Sequence, residues 1–195
     1  MMKIYDTNFN FTGGLLTRPL TRRIVIHHRA GDGDVLSIHN GHLKQGWSGI
    51  GYHFYVRKDG SIYRGRNIEK IGAHAEGNNS DSIGICFEGN FENEKMGKAQ
   101  LESGRWLIAY IQESYGKNLK VLKHSDLSAT ACPGKYFPFR EITKASTDEV
   151  VSKMFEDGII SLSNISNWEL FLSGSAKPKA DYIKTIIRRY QKKVG

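Results

Sequence analysis

A histidine and a cysteine, His124 and Cys132, stand in the segment LKHSDLSATACPG, which is otherwise rich in polar and turn-forming residues. The 195-residue chain has only two cysteines, too few for a disulfide framework, so a reducing compartment is the default expectation. Pro and Gly follow Cys132 directly, and a cysteine in such a loop does not pack a core. Its thiolate is therefore a candidate metal ligand.

Two further histidines, His27 and His28, end the segment TRRIVIHH, whose β-branched residues are typical of a buried strand. Successive strand residues point to opposite faces, so only one of the pair can face a given site. Two imidazoles and one thiolate give three protein ligands, and three ligands plus a water are the arrangement of a catalytic zinc. The alternative is a free thiol in a loop and two surface histidines, and the spacing alone leaves both open.

The other cysteine, Cys86, lies inside the apolar segment SIGICFE. A free cysteine in such a strand behaves as a small buried hydrophobe. We therefore predict that Cys86 belongs to the core and not to a metal site.

Apolar periodicity places these residues on alternating strands and helices. Runs of β-branched and aromatic residues predict strands at 21–28, 52–57, 61–64 and 82–88, with a hairpin turn at Asp59-Gly60. Apolar spacings of three and four residues predict helices at 34–46 and 98–115. This alternation is typical of an α/β domain.

The pattern changes near residue 146, where Ser146 and Glu149 form a capping-box signature before an apolar stripe. A second amphipathic segment follows Pro178, and the sequence shows no strand pattern after position 148. From Lys177 onward there are seven Lys or Arg residues against one Asp. We therefore predict an α/β domain at 1–146 and a small all-helical basic module at 147–195.

The formal net charge is +8 and the pI about 9.4. A basic surface attracts polyanions such as nucleic acids, anionic lipids or wall phosphate polymers. The sequence has no nucleic-acid-binding motif, no apolar run of membrane-spanning length and no secretory-signal pattern at its start. We expect no nucleic-acid or membrane partner; the alternative reading of the charge is a basic surface without a polyanionic partner.

Four segments carry a resemblance to a known family: IVIHHRA, GWSGIGYHFYVRKDGSIYRGR, IGAHAEGNNSDSIGICFEGN and HSDLSATACPG. Over roughly residues 20–140 the chain resembles the zinc-dependent N-acetylmuramoyl-L-alanine amidases of the phage lysozyme and peptidoglycan-recognition-protein type, the amidase-2 family. The resemblance implies a central mixed β-sheet flanked by helices, with one zinc ion per chain in a groove. It also implies His27, His124 and Cys132 as the zinc ligands.

The resemblance further implies the reaction, in which zinc-activated water cleaves the amide between the lactyl group of muramic acid and L-alanine. Tyr52 matches a tyrosine beside the metal, whose hydroxyl can orient the water or bind the oxyanion. Its alternative role is that of a half-buried strand tyrosine. Thr130 matches a position held in the family by Lys or Thr, and it can offer only a neutral hydrogen bond.

Two residues, His74 in GAHA and Asn79 before the SIGI strand, match positions that line the family's substrate cleft. Loop hydrogen bonds are the alternative role for both. Arg66, in RGR, is a candidate for contact with a peptide carboxylate, or else a solvated strand charge. His42 matches a helix histidine that has a structural role.

Two other classes of function stay open at this point. Some relatives bind peptidoglycan without cutting it and lack the cysteine ligand, and one phage relative inhibits an RNA polymerase. The presence of both Cys132 and Tyr52 favours the enzyme.

The partner of such an enzyme would be bacterial peptidoglycan. The module at 147–195 would bind wall polymers, cover the amidase domain or form a dimer. The setting resembles that of a phage or prophage endolysin, made in the host cytoplasm and acting on the wall after release.

Overall fold

The computed structural model describes residues 2–116 and 118–144, and the helical module predicted at 147–195 lies outside these residues. The described residues form one sheet of six strands: β1 (Ile4–Tyr5), β2 (Arg23–His28), β3 (Phe54–Val56), β4 (Ile62–Arg64), β5 (Ser82–Phe87) and β6 (Lys120–Lys123). The same residues contain the helices α1 (Val35–Lys44), α2 (Lys98–Tyr115) and α3 (Phe139–Ile142). Short 3-10 turns span Asn79–Asp81 and His124–Asp126.

The strands are ordered β1-β4-β3-β5-β2-β6 across the sheet. Strand β2 is parallel to both β5 and β6, and β3 is parallel to β5. Strands β3 and β4 form an antiparallel hairpin around the predicted turn. A central mixed sheet with accompanying helices is the predicted fold class, which the described residues confirm.

Both faces of the central strands are covered, each by its own apolar cluster. Ile24 and Ile26 of β2 pack in the larger cluster with Leu107 of α2. Tyr55 and Cys86 pack in the smaller cluster with residues of α1. Strands buried on both faces need apolar residues at successive positions, which explains the unbroken apolar runs of β2 and β5. Cys86 is fully buried, so its predicted place in the core is confirmed.

The two histidines that end β2 lie on opposite faces of the sheet, as strand alternation predicts. The His28 ring turns away toward Phe91, whose backbone N–H donates to His28 Nδ1 at 3.2 Å. His27 pairs in register with Cys86 and therefore faces the side covered by α1. Only His27 of the pair is thus available on that face.

The predicted elements agree with the structure best where packing and local signals coincide. Helix α2 has the predicted bounds, and α1 begins after Asp34, whose carboxylate accepts from the Ser37 N–H at 2.7 Å. Strands β1 and β6 were not predicted. Both lie at sheet edges, and β6 (KVLK) is only partly buried, so its composition carries little apolar signal.

The helices in the two described ranges do not combine the length and the apolar character that a bilayer span requires.

Candidate metal centre

His27 and His124 come together because two neighbouring parallel strands end at the same edge of the sheet. His27 is the penultimate residue of β2, and His124 directly follows β6. The register pairs Ile26 with Lys123, so the two histidines are next in line on adjacent strands. Their ring centroids lie 4.5 Å apart.

The loop after β6 brings Cys132 back to the same edge. The Ser125 N–H donates to the Cys132 carbonyl oxygen at 2.9 Å, which closes the loop on itself. The sulfur lies 3.9 Å from His27 Nδ1 and accepts the backbone N–H of His28 at 3.4 Å. The thiol is therefore held against the end of β2.

The candidate ligand atoms of His27, His124 and Cys132 all lie within 4.8 Å of one another. Imidazole nitrogen and thiolate sulfur are ligand types that suit zinc, and three protein ligands leave a position for water. The three residues therefore fit a zinc ion by donor type and by proximity.

Burial determines the protonation of the three groups. It lowers the pKa of His27 well below the usual range, with a further contribution from His124, and it lowers the pKa of His124 as well. Both rings are therefore neutral near pH 7, as metal ligation requires. Burial raises the pKa of the Cys132 thiol to about 11, so a metal that binds here must displace a proton.

Tyr52 lies beside the cluster, just before β3. Its ring centroid is 5.2 Å from that of His27. Burial raises the pKa of Tyr52 well above its usual value, and the neighbouring Cys86 and Cys132 thiols act in the same direction. The phenol therefore keeps its proton near neutral pH and can donate a hydrogen bond.

Thr130 lies in the loop that carries Cys132, and it is exposed. Its Oγ1 accepts the backbone N–H of Cys132 at 3.2 Å. The structure thus places this hydroxyl two residues from the sulfur, where its own proton is free for a further bond.

The family model described as N-acetylmuramoyl-L-alanine amidase matches residues 17–135. This range is more than half of the chain and contains His27, His124 and Cys132. The chain belongs to the N-acetylmuramoyl-L-alanine amidase family. The family resemblance of the four sequence segments is thereby confirmed.

Relatives of this amidase family member include recognition proteins and phage enzymes. Peptidoglycan-recognition protein LB of Drosophila melanogaster is 40% identical over 98 residues, which are 47% of this chain and 40% of that protein. An endolysin of Klebsiella phage KP32 is 32% identical over 125 residues, which are 60% of this chain and 82% of the endolysin.

Among solved structures, the N-acetylmuramoyl-L-alanine amidase LysC from Clostridium intestinale URNW aligns with a TM-score of 0.70 at 40% identity. The alignment covers 73% of this chain and 95% of LysC. The chain therefore spans nearly all of LysC and most of the endolysin, but less than half of the recognition protein.

His74 and Asn79 of the amidase domain lie together beneath the metal-binding residues. His74 is 8% exposed, and its Nδ1 is 3.0 Å from His27 Nε2. Asn79 Oδ1 accepts the backbone N–H groups of His74 and Ala75, each at 2.9 Å. Asn79 thus holds the backbone that carries His74, and His74 contacts a predicted zinc ligand.

Arg66 of the amidase domain is 5% exposed, so its charge is not a solvated one. Its guanidinium donates to three backbone carbonyls, those of Ile50 at 3.0 Å, Ile71 at 2.9 Å and Gly49 at 3.5 Å. These contacts tie together the chain segments on either side of the β3–β4 hairpin. The structure does not bring Arg66 to the metal-binding residues.

His42 of α1 also makes a backbone contact. Its Nδ1 accepts the Gly51 N–H at 3.1 Å, and its ring lies 4.6 Å from that of Trp47. This contact fixes the segment that leads to Tyr52. A structural role, as the amidase resemblance implied, agrees with this position.

Two buried residues near the site were not singled out from the sequence. Ser82 Oγ lies 3.4 Å from His74 Nε2, and His53 accepts the Gly84 N–H at 2.9 Å. Burial lowers the pKa of His53 to about 3. Neither residue is close in sequence to a ligand, and only the sheet register joins them to the amidase site.

Proposed function

We propose that the protein is a zinc-dependent amidase that hydrolyses the bond between N-acetylmuramic acid and the L-alanine of the peptidoglycan stem peptide. The observation that carries this proposal is the cluster of His27, His124 and Cys132 with the Tyr52 phenol beside it. Membership of the amidase family and the likeness to phage endolysins support the choice of substrate.

The ligand role is divided among two neutral imidazoles and one thiolate. A bound zinc ion would supply Lewis acidity and lower the pKa of a water ligand toward about 7. His27 offers Nδ1 to the ion, since its Nε2 contacts His74. Cys132 offers a sulfur whose backbone hydrogen bond from His28 partly balances its charge.

Tyr52 supplies a hydrogen-bond donor at the place where the reaction develops negative charge. Attack on the amide carbonyl gives a tetrahedral oxyanion, and a preorganised donor stabilises this state more than the planar amide. The phenol stays protonated because burial raises its pKa. Tyr52 lies in the partly buried segment directly before β3.

The Cys132 thiol also distinguishes a peptidoglycan hydrolase from a protein that only binds peptidoglycan. A protein that only binds peptidoglycan needs no thiolate at this edge of the sheet and no neighbouring phenol. Both groups are present and adjacent to two neutral histidines. This combination favours the hydrolase over a binding protein.

The biological setting follows from the substrate. Peptidoglycan lies outside the bacterial membrane, and the phage endolysin relatives suggest that this protein also acts on the cell wall after release. We propose the same setting here, with peptidoglycan as the principal partner.

The test combines metal analysis with product analysis on the full-length chain. Purified protein should contain about one zinc per chain, and incubation with peptidoglycan should release stem peptides that carry a new L-alanine amino terminus. Removal of the metal with a chelator should abolish this release, and zinc should restore it. Binding to peptidoglycan without any new amino terminus would instead show a recognition protein, and undiminished hydrolysis by metal-free protein would exclude the zinc mechanism.

A further inference from the structure

We infer that His74 is a positioning residue that fixes the tautomer of His27, so that His27 Nδ1 presents its lone pair toward His124 and Cys132. The inference rests on the proposed zinc site, since it concerns how one ligand of that site is prepared. His74 has no contact with Cys132 or His124 by hydrogen bond in the described residues, so it acts through His27.

A series of hydrogen bonds determines which nitrogen of the His74 ring carries the proton. Ser82 Oγ donates to the Asn78 carbonyl oxygen at 2.5 Å, which uses its only proton. At 3.4 Å from His74 Nε2, Ser82 Oγ can therefore only accept, although the bond is long. His74 Nε2 must then carry the ring proton, which leaves a lone pair on His74 Nδ1.

The His74 tautomer in turn determines which nitrogen of His27 carries the proton. His74 Nδ1 lies 3.0 Å from His27 Nε2, and a lone pair on His74 requires the proton to be on His27 Nε2. His27 Nδ1 is then unprotonated, and it is the nitrogen that lies 3.9 Å from Cys132 Sγ. A backbone carbonyl, that of Asn78, thus determines the tautomer of a predicted metal ligand through two intervening side chains.

The contact between the two rings requires one nitrogen that donates and one that accepts, since His74 Nδ1 and His27 Nε2 lie 3.0 Å apart. A doubly protonated His74 ring would have no lone pair with which to accept this hydrogen bond. The contact therefore needs a neutral His74 ring with its proton on Nε2.

Two glycines allow the backbone to lie close to the His74 ring. A Cβ atom on Gly84 of β5 would lie 2.5 Å from His74 Cγ and Cδ2, and one on Gly72 would lie 2.5 Å from His74 Cδ2. Only glycine at both positions allows the backbone to approach the ring this closely. With Asn79 Oδ1 holding the His74 backbone, both the ring and its main chain are fixed.

The tautomer of His27 affects the affinity of the site for a metal ion. A neutral imidazole in water exchanges its proton between its two nitrogens, and a proton on Nδ1 would block the nitrogen that faces Cys132. Outer hydrogen-bond partners of metal-binding histidines fix the tautomer and raise ligand basicity, and losing one typically costs about 10–100-fold in metal affinity. His74 is the residue that supplies this partner for His27.

The decisive variants alter the acceptor while keeping the space filled. His74→Phe fills the slot between the glycines and removes the acceptor, so zinc affinity of the full-length chain should fall about 10–100-fold. His74→Gln keeps an acceptor and a donor on one side chain and should recover part of that loss. His42→Phe is the matched control, since it removes a nearby imidazole that contacts no ligand residue, and it should leave zinc affinity within about twofold of wild type.

Two readouts are needed, neither of them enzymatic activity. Competition with a chelator of known affinity gives the zinc dissociation constant of each variant, and circular dichroism checks that the fold is kept. Nitrogen-15 NMR of the metal-free chain assigns the tautomer of His27, with the proton expected on Nε2 in wild type and shared between both nitrogens in His74→Phe. If His74→Phe does not fold, Ser82→Ala is measured instead, because it releases the far end of the chain and should also mix the His27 tautomers.

The outcomes distinguish this inference from the proposed function. A wild-type His27 proton on Nδ1, or wild-type zinc affinity in His74→Phe, would overturn the positioning role while leaving the zinc enzyme intact. A wild-type chain that shows the expected Nε2 proton but binds no zinc would instead refute the proposed zinc site, and the tautomer result would stand alone.

Discussion

Cys132 is a thiol whose state depends on the metal. Without an ion, burial keeps its pKa near 11, and its one backbone hydrogen bond comes from His28. Zinc would convert it to a thiolate, so the Cys132 proton and the ion compete for the same sulfur. This competition makes Cys132 the residue at which metal binding and pH are most directly linked.

We predict that Cys132→Ser will lose most of its zinc or most of its amidase activity. A neutral hydroxyl replaces a charged soft ligand, and zinc prefers the thiolate. Zinc content after dialysis and the release of L-alanine amino termini are the measurements. Cys86→Ala is the matched control because it removes the other thiol from the core, and it should retain stoichiometric zinc; equal zinc loss in both variants would contradict the ligand assignment.

The Tyr52 hydroxyl is expected to act on turnover and not on metal binding. We predict that Tyr52→Phe keeps its zinc and slows turnover by roughly tenfold to a thousandfold, the range for losing one transition-state donor. Steady-state rates on a soluble muramyl peptide, together with zinc content, test this. Tyr110→Phe is the matched control, since it removes the hydroxyl of an exposed tyrosine on α2, and it should have wild-type rates. Unchanged rates in Tyr52→Phe would assign Tyr52 a structural role.

At the scale of elements, the site depends on one strand pair and one returning loop. Parallel β2 and β6 place His27 and His124 side by side, and the loop to Cys132 is closed by the Ser125 N–H. The Thr130 hydroxyl adds a second bond within that loop, to the Cys132 N–H. The loop therefore presents the sulfur at a defined place.

We predict that Thr130→Ala costs less than Tyr52→Phe. Losing a neutral hydrogen bond in an exposed loop is worth about 1 kcal/mol, which corresponds to about fivefold in zinc affinity or rate. Thr130→Ser keeps the hydroxyl and should behave as wild type. Separate measurement of zinc affinity and kcat decides the role of Thr130. Loss of a hydroxyl that braces the loop lowers zinc affinity, whereas loss of an oxyanion donor lowers kcat. A loss as large as that of Tyr52→Phe would contradict the prediction.

At the scale of the whole molecule, buried neutral histidines link stability to pH. His53 is fully buried, accepts the Gly84 N–H and donates to the Lys70 carbonyl oxygen. Burial lowers its pKa to about 3 in the folded protein, whereas the unfolded chain titrates near 6.5. The unfolded state therefore gains a proton first, so stability is fully present above about pH 6.5 and is lost as the pH falls toward 3.

We predict that the metal-free chain loses about 2 kcal/mol of its free energy of unfolding between pH 7 and pH 5 from His53 alone. Urea unfolding at the two pH values, with unchanged m-values, is the measurement. His53→Gln cannot take up this proton. Its free energy of unfolding should therefore change by about 2 kcal/mol less than that of wild type over the same interval. Equal pH dependence in the two proteins would show that His53 is not the responsible group.

The segment at 147–195 lies outside the described residues, and its predicted wall-binding role stays a prediction. A chain ending at residue 146 should bind intact walls less well than the full-length chain. It should still hydrolyse a small soluble muramyl peptide, because every proposed zinc ligand lies earlier. The cations expected to contact wall polymers are Lys177, Lys179, Lys184, Arg188, Arg189, Lys192 and Lys193.

The salt dependence of wall binding identifies the kind of contact that the segment at 147–195 makes. Exposed charges are screened over about 8 Å at physiological ionic strength, so binding through these cations should weaken as salt rises. Binding through an apolar surface near Trp168 should change little. Wall sedimentation at two salt concentrations, with both chain lengths, is the measurement, and equal binding by the two chains would remove the targeting role.

The sequence by itself determined the parts of this protein that rest on local signals. Residue types and order identified the family through four segments, and apolar periodicity located α2 to the residue and the buried strands within a few positions. Strand alternation was enough to state that only one of His27 and His28 faces the site. These features depend on neighbours in the chain, which the sequence contains.

Only the tertiary structure decided which residues support the site. The edge strand β6 has little apolar signal, yet its pairing with β2 is what places His124 beside His27. The structure placed His74 beneath His27, and Arg66 on backbone carbonyls away from the cluster. Such contacts depend on sheet register and on the space left by Gly84, which join residues far apart in sequence and leave no local pattern.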